Sequence, residues 1–321
     1  MECNCNKVDL RKVAIIGCGF VGSASAFALM QSGLFSEMVL IDADKDRAEG
    51  EALDISHGMP QGRPMRIYAG DYEDIKDAAI IIVTAGANQK LEETRLDLVH
   101  KNVAIFKNIM PKIREKDCQG ILLIVSNPVD ILTYVALKLS GFPENRVLGS
   151  GTVLDTSRLK YEIGSYLGVD SRSVHAFIIG EHGDSEIAAW SSANVSGVPM
   201  RNFYEFKGKQ KYEKAAENIA NAVRNSAYEI IQKKKATYYG IAMSVRRICE
   251  AIVRDEKSIL PVSAPMHGAY DIEDVVLSMP AIVGKNGMEG HMPIELSESE
   301  LKALKVSADT LKDVISKISF E

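Results

Sequence analysis

The segment from Val13 to Asp42 constrains this chain more than any other. The apolar run Val13–Gly17 leads into Gly17-Cys18-Gly19-Phe20-Val21-Gly22, which fits G-x-G-x-x-G. A small-residue helical stretch containing Ala24, Ala26 and Ala28 follows, and Met38–Asp42 then forms a second apolar run ending in an acid. The glycine pattern alone is weak, because Gly-rich loops produce it by chance. Strand, turn, helix and second strand, with an acid twenty residues past Gly22, form a dinucleotide-binding βαβ unit. The first glycine permits the tight turn. The second lets the backbone approach a pyrophosphate, and the third lets helix and strand pack closely. The helix N-terminus then faces the phosphates. Asp42 would accept both ribose hydroxyls of an adenosine and repel a 2′-phosphate, which favours NAD over NADP. The bland alternative is a structural strand–turn–helix with a surface Asp.

The rest of the first half continues the alternation. Arg66–Ala69, Ala79–Ala85, Ile121–Ser126 and Arg146–Gly149 read as further strands. Several lack polar alternation, as expected when helices cover both sheet faces. Phe20–Gln31, Lys45–Ser56, Leu98–Glu115 and Pro128–Leu139 read as helices, with Gly33 and Gly141 placed to end the first and last. The fold class is α/β: a doubly wound parallel Rossmann sheet followed by an α+β substrate domain. The 321 residues suit two domains, 8–150 and 151–321, joined near Gly149–Gly151 by a packed junction without a linker. In the second half, Leu154–Leu167, Gln210–Lys235, Tyr239–Val253 and Leu296–Ser319 are expected helices. Ser173–Gly180 and Ser185–Ala193 are expected as strands of an irregular antiparallel layer. Ser258–Leu260, Asp274–Leu277 and Ala281–Val283 are expected as short strands with turns between them.

Composition removes several function classes. A net charge of −5 argues against a nucleic-acid or anionic-membrane surface. No apolar run approaches a membrane span. The five cysteines are few and odd in number, and no pair has Cys-x-x-Cys spacing, so neither a disulfide framework nor a metal site is expected. With no hydrophobic leader in Met1–Arg11, a reducing, cytoplasmic compartment is expected.

Polar residues gather beside the strand ends, where open α/β sheets bind ligands. Thr84-Ala85-Gly86-Ala87 and Val125-Ser126-Asn127-Pro128 end two strands. Gln89–Arg95 is polar and long enough to act as a lid. Of the six histidines, His182 is flanked by Gly180 and Gly183, which let backbone and ligand approach. A His paired with a buried carboxylate is a general acid/base with raised pKa, and Asp155 is the best such carboxylate. Arg158 shares a helix face with Asp155 and could hold a substrate carboxylate in a two-bond fork. Asp155 and Arg158 could equally be a helix N-cap and a surface ion pair.

At this point the residues resemble a family. Gly17–Gly22, Thr84–Arg95, Ser126–Asp130, Asp155–Arg158, Gly180–Asp184 and Ala236–Gly240, in this order, look like the bacterial-type L-lactate dehydrogenases of the lactate/malate dehydrogenase superfamily. The likeness runs from about Lys12 to Ser319. It implies His182 as proton donor and acceptor, Asp155 as its orienting partner, and Arg95, on a closing loop, as polariser of the substrate carbonyl. It implies Arg158 on the substrate carboxylate, Asn127 on the substrate oxygen, Thr237 lining the pocket, and Gln89 as the discriminating position, where members acting on malate carry Arg. It implies a cis Asn127-Pro128 peptide. For NAD it implies Gly17, Gly19, Phe20, Val21, Gly22, Asp42, Arg47, Tyr72, Thr84, Ala85, Gly86, Ala87, Asn108, Val125, Ser126, Asn127 and Ser150. It further implies pyruvate and L-lactate as substrates, a homotetramer, and fructose 1,6-bisphosphate as an effector at His175 and Lys160. Lys160 stands where Arg is usual, so the charge survives without the bidentate fork. Leu91-Glu92 replaces the family's common Pro-Gly. Two alternatives stay open: a malate or other 2-hydroxy acid dehydrogenase of the same superfamily, and a catalytically silent NAD-binding protein. Gln89 argues against the first, and the presence of His182, Arg95 and Arg158 against the second.

Overall fold

The computed structural model describes residues 9–87, 95–206 and 212–320, with all their side chains except those of 95 and 204–206. Its frame is a nine-stranded sheet. Six parallel strands come from the first half: β1 (Asp9–Ile16), β2 (Glu37–Ile41), β3 (Arg66–Ala69), β4 (Ala78–Val83), β5 (Ile121–Ile124) and β6 (Val147–Gly149). They lie in the order β3-β2-β1-β4-β5-β6, the doubly wound arrangement. Helices α1 (Phe20–Ser32), α2 (Lys45–His57), α3 (Arg95–Arg114) and α4 (Val129–Ser140) supply crossovers. Gly33 and Gly141 end α1 and α4 at φ 66 and 72, as a left-handed helix terminus requires.

Both sheet faces are dry, which is why these strands read as continuous apolar runs. Successive residues of β1 alternate between two cores. Val13 and Ile15 pack with Leu29, Ala48 and Val245, whereas Ala14 and Ile16 pack with Phe106, Leu132 and Leu311. Every residue of β4 and β5 is buried.

The second half contains α5 (Val153–Leu167), β7 (Val174–His175), β8 (Ile178–Ile179), β9 (Ile187–Ala188), β10 (Asn194–Val195), β11 (Val198–Pro199) and α6 (Met200–Phe206). It continues with α7 (Tyr212–Lys234), α8 (Tyr239–Val253), β12 (Ser258–Pro265), β13 (Val276–Gly284), β14 (Gly287–His291) and α9 (Glu298–Ile315). Here the structure corrects the expectation of short C-terminal strands. Ser258–Leu260 extends to Pro265, and Asp274–Leu277 with Ala281–Val283 fuse into β13; the two strands pair antiparallel over eight positions. Pro261 faces Pro280 across this ladder. Each lacks an N–H, so each looks like a break in sequence while occupying a strand in the fold. This hairpin joins the parallel sheet where Ser263 pairs with Gly149, so β12, β13 and β14 extend it. Ser173–Gly180 and Ser185–Ala193 contribute only two-residue strands. The pair β10–β11 and helix α6 were not foreseen. The Gly149–Gly151 junction is packed: a Cβ on Gly151 would lie 2.6 Å from Pro261 O. No described helix is long and apolar enough to cross a membrane.

Candidate active site

The carboxyl ends of β1, β4, β5 and β6 form one edge, and the glycine loop is its first component. Gly17 has φ +105, and a Cβ there would lie 2.5 Å from Ala85 N. A Cβ on Gly22 would strike Gly17 O at 1.9 Å, so the helix can pack onto the turn only without a side chain. Gly19 differs: a Cβ there would meet no protein atom within 4 Å, leaving the backbone open to a ligand. It is also the N-cap of α1, and no side chain caps the helix amides. That combination suits a pyrophosphate. Asp42 directly follows β2, its carboxylate fixed by two main-chain donors, Cys18 N–H at 2.6 Å and Asp44 N–H at 2.9 Å.

The neighbouring strand ends are tied to this loop. Thr84 Oγ1 donates to Gly17 O at 2.7 Å, and Ser126 Oγ donates to Ala85 O at 2.7 Å. Val125 N–H bonds Val83 O and Ser150 N–H bonds Ile124 O. Gly86 and Ala87 follow Ala85, and Asn127 precedes Pro128 in a cis peptide. Of the more peripheral cofactor candidates, Arg47 is exposed in the first turn of α2. Tyr72 lies under Lys112, whose Nζ donates to the amide oxygen of Asn108 at 2.7 Å. Phe20 opens α1 and stacks its ring on Tyr238, centroids 5.4 Å apart, and Val21 packs on the core behind it. The sequence reading missed Asn102 on α3. Its buried amide accepts from Ala87 N–H at 2.7 Å and donates to Asn127 O at 2.6 Å, fastening two strand-end loops together. A polar residue in an amphipathic helix carries no signal of that use.

Two of the three candidate catalytic residues, Asp155 and His182, come from the second half; the third, Arg95, begins α3. Thr152 Oγ1 donates to Ile178 O at 2.5 Å, and Thr156 Oγ1 accepts Ile178 N–H at 2.9 Å. These bonds lock β8 onto the start of α5 and so bring Asp155 under the loop that follows β8. Gly180 and Gly183, at φ +88 and +154, let that loop turn back. His182 Nδ1 then lies 2.6 Å from Asp155 Oδ2, and Arg158 Nη1 donates to Asp155 Oδ1 at 2.7 Å. The alternative of an N-cap and a surface pair is corrected: Thr152 is the N-cap of α5, and the i,i+3 pair is buried, with Arg158 14% exposed. Among the described residues only one of the five N–H donors of Arg158 is used. Asp155 is 3% exposed and His182 24%. Burial opposes the imidazolium, but the charge and hydrogen bond of Asp155, with Asp130 and Glu186 beyond, raise its pKa to about 9. Burial also works against Asp155, but His182 and Arg158 hold its carboxyl below the usual range. With Nδ1 on the carboxylate, Nε2 is the nitrogen left to exchange a proton.

Two further buried carboxyls surround the pair, and neither had been assigned a role from sequence. Asp130, the last residue of Ser126–Asp130, accepts the His182 main-chain N–H at 2.7 Å. Glu186 is 6% exposed, and burial pushes its carboxyl up to about 8. Thr237 is half-buried between α7 and α8 and makes no hydrogen bond to the cluster among the described residues. Gln89 lies outside the described residues, as does the side chain of Arg95, which begins α3. Among the described residues no group of His, Cys, Asp or Glu could hold a metal ion.

Comparisons with known proteins agree with this arrangement. The NAD-binding domain of the lactate/malate dehydrogenases matches residues 11–149, and their alpha/beta C-terminal domain matches residues 152–321. An L-lactate dehydrogenase of Acetivibrio thermocellus is 53% identical over 312 residues, 97% of this chain and 98% of that protein. L-lactate dehydrogenase 1 of Clostridium acetobutylicum is 50% identical over 307 residues, covering 96% and 98%. The crystal structure of the minor L-lactate dehydrogenase of Enterococcus mundtii, in its ligands-bound form, superposes with a TM-score of 0.94. It is 45% identical and covers 97% of this chain and 99% of that one. The chain belongs to the lactate/malate dehydrogenase family, and its first half is that family's NAD-binding domain.

Proposed function

We propose that this chain is an L-lactate dehydrogenase, reducing pyruvate with NADH to L-lactate and NAD+ and running the reverse reaction. The observation that carries the proposal is the buried Asp155 shared by His182 and Arg158. Its neighbours in sequence and structure bear the same activity in their names. The open Gly19, the uncapped α1 terminus and the oriented Asp42 fit the dinucleotide, with Thr84, Ala85, Ser126 and Ser150 beside it. When bound, NADH supplies the hydride. The protein's own groups do the rest. Protonated His182 gives its Nε2 proton to the keto oxygen, and neutral His182 takes it back from lactate. Asp155 holds the ring's tautomer and stabilises its charge. The unused N–H donors of Arg158 fork onto the substrate carboxylate. Arg95 and Asn127 stabilise the growing negative charge on oxygen, and Thr237 lines the pocket. On this reading residues 8–150 are the NAD-binding domain, which also lends Arg95 and Asn127 to the substrate, and residues 151–321 are the substrate and catalytic domain, in a cytoplasmic homotetramer.

Pyruvate with NADH should exceed both oxaloacetate with NADH and pyruvate with NADPH in kcat/KM by roughly 100-fold, equivalent to ~2.7 kcal/mol. For NADPH the cause is a phosphate beside the fixed Asp42 carboxylate. A preference for oxaloacetate would overturn the lactate assignment. Equal kcat/KM for the two cofactors would remove Asp42 as the discriminator.

Fructose 1,6-bisphosphate is the proposed activator. His175 is exposed in β7, which packs on α5, the helix that carries Lys160. Burial lowers the proton affinity of the Lys160 ammonium. A bound anion would reverse that pull, and a ligand shifts an equilibrium by its preference for one state. The bisphosphate should therefore lower the apparent KM for pyruvate, and Lys160→Ala with His175→Ala should abolish the effect. A double variant activated as strongly as the wild type would place the effector elsewhere.

A further inference from the structure

Among the described residues three carboxyl groups act on His182, and only Asp155 of α5 touches its ring. Asp130 at the start of α4 and Glu186 before β9 act on the ring through space. Arg158 of α5 and Arg224 of α7 face this field through Asp155 and Glu186, and Glu181 faces Asp130. Asp130 differs from Glu186, whose Oε1 has no hydrogen-bond partner among the described residues. Its Oδ2 accepts the His182 main-chain N–H at 2.7 Å. Its Oδ1 accepts the Ser263 hydroxyl at 2.5 Å and the Ser278 hydroxyl at 3.1 Å. Ser263 and Ser278 sit opposite each other in β12 and β13, both fully buried. Helix α4, the hairpin and the histidine loop thus converge on one carboxyl.

Geometry alone does not require a charge at this point. Asparagine could accept the His182 N–H through Oδ1 and donate from Nδ2 to the serine oxygens, since hydroxyls accept as readily as they donate. A buried carboxylate costs more than that amide. The charge therefore needs a use, and the nearby imidazolium provides one.

We propose that Asp130 is a positioning residue for His182: it anchors the His182 main chain to β12 and β13, and its negative charge joins that of Asp155 in keeping the ring protonated. The proposal rests on His182 being the acid/base group. Burial pushes the Asp130 carboxyl up to about 6, against the pull of Ser263 and the His182 N–H, so its charge is present at neutral pH and above. That is the range in which His182 titrates.

Asp130→Asn separates charge from anchoring. The His182 titration is followed by NMR in the cofactor-free protein, with the signal assigned by its loss in His182→Asn. Its midpoint should fall by roughly half a unit to one unit. The basic limb of the pyruvate-reduction profile should move with it, and the Kd for NADH should not change. An unmoved midpoint in a folded variant would overturn the electrostatic role. Ser263→Ala with Ser278→Ala keeps the carboxyl but removes both hydroxyl donors to it, which loosens the anchor and raises its pKa further. It should lower kcat by roughly tenfold to a hundredfold, as small misplacements of a reacting group do, with NADH binding retained. If it turns over like the wild type, the anchor is wrong, and this variant carries the test should Asp130→Asn not fold. A shifted His182 midpoint in Asp130→Asn, together with a wild type that does not turn over pyruvate, would sink the lactate assignment and leave the Asp130 proposal standing.

Discussion

Replacing His182 with Asn should lower pyruvate turnover by ~10²–10⁴ while leaving NADH binding near that of the wild type. Asparagine keeps a polar group of similar reach, but it cannot carry a proton across the working pH range. The main-chain bond to Asp130 does not depend on the side chain, so the loop should keep its place. The pH profile gives the assignment a sign. Reduction needs the protonated ring and oxidation the neutral one. With the His182 pKa raised to about 9, pyruvate reduction should persist through neutrality and decline as pH rises through that value. Lactate oxidation should gain over the same interval. Both limbs should disappear in the variant. A variant that keeps more than half of wild-type turnover would rule His182 out as the acid/base group.

The second large effect concerns substrate choice. Gln89→Arg should turn the enzyme toward oxaloacetate. On the proposed reading, the family resemblance implies that residue 89 discriminates the far end of the substrate, where pyruvate has a methyl group and oxaloacetate a second carboxylate. A carboxylate removed from water needs a partner. Arginine provides charge-assisted hydrogen bonds at ~1.5–3 kcal/mol each. At ~1.4 kcal/mol per tenfold, one or two such bonds predict a gain for oxaloacetate of roughly 10- to 10⁴-fold in kcat/KM. With pyruvate the new guanidinium is left unpaired, so that activity should fall as the other rises. Specificity is the difference between the two, and the unfavourable half contributes as much as the favourable one. Measuring kcat/KM for both keto acids in both proteins decides the matter. A preference ratio that does not move would show that residue 89 does not face the substrate.

How much of this was legible beforehand depended on whether the signal was local. The turn Gly17–Gly22, the helix stops at Gly33 and Gly141, and the uninterrupted apolar strands each express a requirement of a short stretch of backbone: a positive φ, a missing Cβ, two dry faces. Such requirements are written into the residues that meet them. The C-terminal strands were harder, because Pro261 and Pro280 look like breaks and Ser263 and Ser278 look like turns. Only the paired hairpin shows that the prolines face one another and that the serines serve a buried carboxylate.

The sequence by itself determined the dinucleotide loop, the acid that follows β2, the order of the six parallel strands' segments and, through the family resemblance, the residues proposed for the site. The tertiary structure alone decided which of those residues meet. Asp155 and His182 are 27 positions apart, and their contact depends on two threonine hydroxyls clasping β8 to α5. Asp130 reaches Ser278 across 148 positions, and Asn102 spans two loops that the chain visits separately. Hydrogen bonds of this kind act only over about 3 Å. No periodicity or spacing along the chain encodes them, since they exist only once separate elements have packed against a common sheet.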